Sequence, residues 1–311
     1  MAARTSSLVH PKYKTKYSVE NWAEYERGLR SRGDLMIWFN EDVMESWVPR
    51  GKRRRGAQRR YSDLAIETAL TLSMLFHLPL RQTEGFVGSI LRLLDLDLQS
   101  PDHSTLSRRA KQLDVQLCAV GRGKSIHLIV DSTGLQIVGQ GPWANAKHGK
   151  KGAREWRKLH IGVDEKGVIV AEKLTDSTID DASVVKDLVA QIPEDNNITR
   201  FTADGAFDQN SIYKTFTELG ATVVVPPVKT ATPSKAKTRA AKARNRTIKR
   251  IRRVGRRQWK KEAGYHRQAR VENTFFRYKQ LFGGRLRARD PGNQTTEAST
   301  PSNKYQCVKV F

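Results

Sequence analysis

At 311 residues with 38% hydrophobic side chains, the chain can bury a catalytic-sized core and one smaller unit, which excludes an entirely disordered polypeptide. Its 56 Lys and Arg outweigh 32 Asp and Glu, a net charge of +24 that points to a polyanionic partner. Two distant cysteines, Cys118 and Cys307, exclude a disulfide framework or a zinc module. With no apolar leader and no window near the roughly 18 apolar residues that a spanning helix needs, a soluble, cytoplasmic protein without membrane contact is expected.

Residues 1–60 form a basic N-terminal segment that mixes aromatic and charged side chains and closes on a Lys/Arg run at 50–60, read as phosphate contact. From Ser62, suited to N-capping, Leu64, Ile66, Ala69, Leu70, Leu72, Leu75 and Phe76 recur at helical spacing. A second helix is expected over 81–94. A third follows the turn at Pro101-Asp102, from His103 or Ser104 through Leu113. Three short helices within 61–120, the last carrying Arg108 and Arg109, suit a helix-turn-helix DNA-binding domain, with a plain buttressing bundle as the structural alternative.

After Gly121 the pattern turns to short strands rich in Val and Ile, at 126–130, 159–163, 168–174, 200–203 and 222–225. Helical spacing covers 181–192 and 210–219, the latter ending at Gly220. This order of strands and helices is that of an α/β ribonuclease H-like core, here spanning 121–290. In that fold the first and fourth strands are neighbours, which sets Asp131 beside Asp204. A carboxylate at the end of a buried strand is costly unless a cation or hydrogen bonds compensate it. Two of them plus a helical Glu272 would converge on a hard divalent ion, as metal-assisted phosphoryl transfer requires. Singly, each has an ordinary reading as a turn aspartate or a solvated helix charge. Asp208 reads as a helix N-terminal residue, His127 and His160 as core histidines, Trp143 and Trp156 as packing residues. Residues 229–261 hold 15 Lys and Arg and no acid. They read as a basic insertion ordered by DNA, with Arg252, Arg253, Arg256 and Arg257 on phosphates.

Asp131-Ser132-Thr133-Gly134, Trp156-Arg157-Lys158-Leu159-His160, Ala203-Asp204-Gly205-Ala206-Phe207-Asp208 and Arg270-Val271-Glu272-Asn273-Thr274-Phe275-Phe276-Arg277-Tyr278-Lys279 together resemble the DDE transposases of bacterial insertion sequences. The resemblance is closest to the family numbered five and runs over residues 20–297. Its signature, Tyr, two residues, Arg, three residues, Glu, six residues, Lys, is shared with family four. Tyr265, Glu272 and Lys279 meet it, while Gln268 stands at the Arg position, with Arg267 or Arg270 as candidate substitutes.

The resemblance implies that Asp131, Asp204 and Glu272 are catalytic and hold two Mg²⁺ ions, for which Mn²⁺ can substitute, Asp131 bridging both. It implies DNA contacts from Tyr265, Lys279, Arg267 and Arg270, and double-stranded DNA, both transposon ends and target, as partner of a homodimer. The function implied is a transposase that binds terminal inverted repeats, then cleaves DNA and transfers strands. The alternatives are a decayed copy that only regulates transposition by occupying the ends, and a stand-alone nuclease. Family members continue past 297 in a packed helix. Here Ala298-Ser299-Thr300-Pro301-Ser302-Asn303-Lys304 reads as turn-like and Pro301 as a breaker, so 291–311 is expected to be an atypical tail, poorly ordered from about Ala298.

Overall fold

The computed structural model describes residues 22–23, 26–27, 41–49, 59–115, 117, 123–138 and 156–309. A short helix, α1 (Glu41–Glu45), precedes α2 (Asp63–Leu75), α3 (Leu80–Leu93) and α4 (His103–Ala110). Ser62 caps α2 by accepting from the Ala65 amide at 3.0 Å, and Asp102 caps α4 through the Thr105 amide at 2.8 Å. Trp47, Ile66, Leu72, Val87, Leu91 and Leu106 close a core between these helices. The three helices expected within 61–120 are present. Residues 50–58 of the basic run, Cys118 and Trp143 lie outside the described residues.

The sheet follows: β1 (Ser125–Ile137), β2 (Trp156–Val163), β3 (Ile169–Asp176), then a 3-10 turn Asp181–Val184, α5 (Val185–Val189), β4 (Asn197–Thr202), α6 (Asn210–Glu218) and β5 (Thr222–Val224). The basic insertion is helical, as α7 (Arg239–Val254) and α8 (Arg256–Glu262). It leads into α9 (Ala269–Phe282), a short strand β6 (Arg285–Leu286) and α10 (Pro291–Lys309). Strands lie in the order β3-β2-β1-β4-β5, with β6 paired to the far end of β1. β2 is antiparallel to β1 and β3, while β1, β4 and β5 are parallel. This central mixed sheet has the order expected of a ribonuclease H-like core.

The apolar start of β1 is continuous because the strand sits mid-sheet with helices on both faces. Leu188 of α5 and Ile212 and Phe216 of α6 pack on Leu128, Val130 and Phe201. On the opposite face, Val271, Phe275, Tyr278 and Phe282 of α9 pack on Ile129, Leu159 and Ile161. One expectation needs correcting: β1 does not end at Asp131 but continues to Ile137. β2 still pairs with it there, from Ser132↔His160 to Gln136↔Trp156, so its backbone groups keep partners. It is β4 that stops.

The C-terminal expectation is also overturned. α10 runs through Pro301, with Ala298, Thr300, Pro301 and Ser302 all buried. Pro291 takes the first helical position, where a missing N–H is harmless, and Asp290 Oδ1 accepts from the Gly292 amide at 3.0 Å. Thr296 Oγ1 donates to the Ala110 carbonyl at 2.6 Å, and the Tyr278 hydroxyl to the Ala298 carbonyl at 3.1 Å. Packing on α2, α4, α9 and β3 outweighs the propensity cost of one internal proline, about 3 kcal/mol. Residues 291–309 are helical, and the helix is packed through Ser302 rather than loose from Ala298. Among the described residues no single helix is long and apolar enough to cross a membrane.

Candidate active site

β1 and β4 run parallel with Ile129 opposite Thr202, so two residues further on Asp131 and Asp204 stand side by side. Alternation along β1 puts Asp131 on the face of Ile129, the one that α9 covers. Its Oδ1 accepts from the Ser132 amide at 2.8 Å. Asp204 caps the 3-10 turn Gly205–Phe207, accepting from the Ala206 amide at 2.9 Å. On α9 the sheet-facing residues are Val271, Phe275 and Tyr278, which turns Glu272 outward on the adjacent stripe, in line with Phe276 and Lys279.

These groups act on one another electrostatically. Burial first, and then the charges of Asp204, Glu272 and Asp181, push the Asp131 carboxyl up to about 6, against the lowering effect of the Ser132 amide. Burial also raises Asp204, with Asp181 adding to it. Tyr265 lies in the 3-10 turn Tyr265–Gln268 before α9, and its hydroxyl is pushed up to about 12 by burial and then by Asp204, Asp131 and Glu272. All three carboxylates are thus within electrostatic reach of one phenol. Burial lowers the Lys279 ammonium from its ordinary value.

Other anticipated residues fall elsewhere. Gln268 is buried and donates from Nε2 to the Val130 carbonyl at 3.2 Å, tying the entry to α9 to the strand beside Asp131. Arg267 pairs with Glu165 and lies 3.2 Å from His127 Nδ1, four residues before Asp131 on β1, so it does not join the carboxylates. Arg270 is exposed. Arg109 is corrected from a DNA contact to a structural residue: buried, it pairs with Asp63 and donates to the Tyr61 carbonyl at 3.0 Å, holding α4 to α2. Arg108 is exposed. In the insertion, Arg252 donates to the Ala231 carbonyl at 3.2 Å and Arg256 to the Pro227 carbonyl at 2.6 Å, whereas Arg253 and Arg257 are exposed.

His127 and His160 are buried beside Thr202 and Thr175, as core histidines should be. Trp156 packs over Gly134, where a Cβ would stand 3.1 Å from the ring. Asp208 is not a helix-terminal residue in function. Its side chain is buried and accepts a forked pair from Arg244 at 2.8 and 2.7 Å, bolting α7 to the turn after Asp204. Sequence reasoning missed that pair, and it missed Asp181, whose charge acts on both Asp131 and Asp204. It also missed a stripe on α7 that spacing reveals: Arg239, Lys242, Arg246, Lys249 and Arg253 recur every three or four residues, all exposed.

Among the described residues no three His, Cys, Asp or Glu side chains are grouped tightly enough to enclose an ion as they stand. The chemistry of the set still fits a hard divalent cation. All three donors are carboxylates, and among the described residues none of them forms a salt bridge. The repulsion that helps lift Asp131 is what a cation would remove.

A mixed sheet of this order fits a ribonuclease H-like core. Two family models, both described as a transposase DDE domain, match residues 30–140 and 122–300. The second spans more than half of the chain, and the chain belongs to the DDE transposase family. Membership implies a divalent metal cofactor. Among solved structures, the Drosophila P element transposase strand transfer complex aligns at 10% identity over 93% of this chain and 86% of that one, with a TM-score of 0.27, too slight a likeness to bear on the fold.

Proposed function

We propose that this enzyme binds the terminal inverted repeats of an insertion sequence, of the kind numbered five, cleaves DNA there and joins the ends to target DNA. The observation that carries the reading is the parallel pairing of β1 and β4 that sets Asp131 beside Asp204, with Glu272 close enough for its charge to act on Asp131 and Tyr265. Mg²⁺, or Mn²⁺ in its place, would neutralise the charge that builds up on the scissile phosphate. Asp131, Asp204 and Glu272 would hold the ion. The Ser132 and Ala206 amides orient two of the three before substrate arrives. Tyr265, with its hydroxyl held protonated, donates to a phosphate oxygen, and Lys279 supplies positive charge two turns along α9 from Glu272. The exposed cations of α7 take the DNA backbone, and the α2–α4 unit, through Arg108, takes the repeat. A cytoplasmic homodimer pairing two ends completes the reading.

A strand-transfer assay with labelled ends tests it. Asp131→Asn, Asp204→Asn and Glu272→Gln should each abolish cleavage and joining while end binding stays nearly intact, because each swap preserves shape and removes a charge worth several kcal/mol in the transition state. A variant that cuts at the wild-type rate removes its residue from the site. Wild-type protein that binds ends without cutting would instead be a regulator, and cutting without joining would mark a nuclease.

A further inference from the structure

Beyond Ile129, β1 has lost β4 as a neighbour and does not meet β6 until Gln136, so the stretch carrying Asp131 and Ser132 has a strand on one side only. The missing lateral support comes from Asp181. This residue opens the 3-10 turn after β3 and its side chain is 18% exposed. Oδ2 accepts from Ser132 Oγ at 3.2 Å and Oδ1 accepts from Lys158 Nζ at 3.0 Å. Lys158 also donates to the Ile179 carbonyl at 2.8 Å, which fixes its ammonium within the same turn. His160, fully buried, sets Nδ1 3.8 Å from Asp181 Oδ1. On the other flank, Asp180 accepts from Gln209 Nε2 at 3.2 and 3.0 Å, and the turn packs on Gly205–Phe207, which Asp204 caps.

We propose that Asp181 is a positioning residue for the metal-binding carboxylates. It locks Ser132, whose amide holds Asp131 Oδ1, and its turn braces the turn that presents Asp204. A fourth carboxylate at this place would repel the other three if left bare. Lys158 neutralises it, so the pair acts as a strut. Direct ligation by Asp181 is the less suitable role, since Lys158 and Ser132 already engage both of its oxygens. The proposal rests on the reading of Asp131, Asp204 and Glu272 as the metal site.

Mn²⁺ binding to the full-length protein, followed by loss of the free-ion electron paramagnetic resonance signal, tests it alongside cleavage as a function of Mg²⁺. Asp181→Ala should weaken ion binding about tenfold, the scale typical of groups that orient metal ligands, and raise the Mg²⁺ needed for half-maximal cleavage by a similar factor. Excess Mg²⁺ should restore the maximal rate, a rescue that general damage to the fold would not permit. Ser132→Ala, which severs the same link, should shift the ion titration in the same direction. Asp181→Asn, which can still accept from Lys158 through Oδ1 and can donate from Nδ2 to the Ser132 hydroxyl, should stay closer to wild type than either. Wild-type ion binding in Asp181→Ala overturns the proposal, as does an Asp181→Asn variant as impaired as Asp181→Ala and beyond rescue, which would make the charge itself a ligand. If Asp181→Ala does not fold, Ser132→Ala decides: unchanged ion binding overturns it. Asp131→Asn serves as reference, and if that variant binds Mn²⁺ like wild type the metal-site reading fails, a result distinct from a silent Asp181.

Discussion

Asp131 is where acidity and the proposed metal site meet. Its carboxyl moves from an ordinary 3.8 to about 6 on folding, chiefly through burial. Because the folded value is the higher, the native state retains a proton between about pH 4 and pH 6 that the unfolded chain has released, and stability from this group falls as pH rises through that window. Above it the penalty is complete unless a cation is bound. Mg²⁺ should therefore raise the melting temperature more at about pH 7.5 than at about pH 5, and Asp131→Asn should lose most of that difference while gaining stability in the metal-free protein. Thermal scans of both proteins, with and without Mg²⁺ at the two pH values, check this; equal Mg²⁺ stabilisation would take Asp131 out of the metal site. The proposed triad could be named from the sequence because each member has a strong local context: an apolar run before Asp131, another before Asp204, and fixed spacings to Tyr265 and Lys279 around Glu272. Asp181 could not, since its partners Lys158 and Ser132 lie 23 and 49 residues away and meet it only once β1, β2 and the turn are assembled.

At the scale of the element, α7 shows how a segment that reads as a charged, disordered run becomes a helix. Every exposed residue of α7 is Lys or Arg: Arg239, Lys242, Arg246, Lys249, Arg252 and Arg253. What offsets their repulsion is largely non-local. Thr238 caps the start, Ala241 and Ile248 are buried, Arg244 forks onto Asp208, and Arg250 pairs with Glu262. Residues 239 and 253 are separated by about 21 Å along the axis, enough to follow several phosphates. Replacing Arg239, Lys242, Arg246 and Lys249 with Gln should reduce the slope of log K against log salt by about 0.9 for each phosphate the helix no longer neutralises, with little change in discrimination between cognate and random DNA. Arg252 and Arg256, already engaged by the Ala231 and Pro227 carbonyls, should contribute less. Binding isotherms across a salt series decide it, and an unchanged slope in the fourfold variant would remove α7 from the DNA path. The sheet strands are legible from their Val and Ile content, but not the full length of β1, because what prolongs it past Asp131 is pairing with β2 and β6 rather than its own apolar pattern.

At the scale of the whole molecule, α10 joins what the sequence separates. It touches α2 and α4 of the N-terminal unit and β3 and α9 of the catalytic core, so both halves share one element. Its sequence hides this role because the contact face is made of small and hydroxylated residues, with Ala298, Thr300 and Ser302 buried, instead of an apolar stripe. Under it lies Glu172, its carboxyl pushed up to about 7 by burial against the opposing hydroxyls of Ser302 and Ser299. The Tyr278 hydroxyl bonds the Ala298 carbonyl nearby. Removing residues 298–311 would expose that part of α9 and β3, strip Glu172 of both serines and leave the Tyr278 hydroxyl without its acceptor. A loss of about 2 kcal/mol or more follows from the lost packing of Ala298 and Pro301 and of the surface beneath them, partly offset because Glu172, once in water, no longer carries the cost of burial. For a chain of this size that corresponds to a melting temperature lower by roughly 5 °C or more. Thermal unfolding of the truncated and full-length proteins at one pH and salt concentration measures it. A drop below roughly 2 °C would mean that α10 contributes little beyond residue 297 and that the two halves hold together without it.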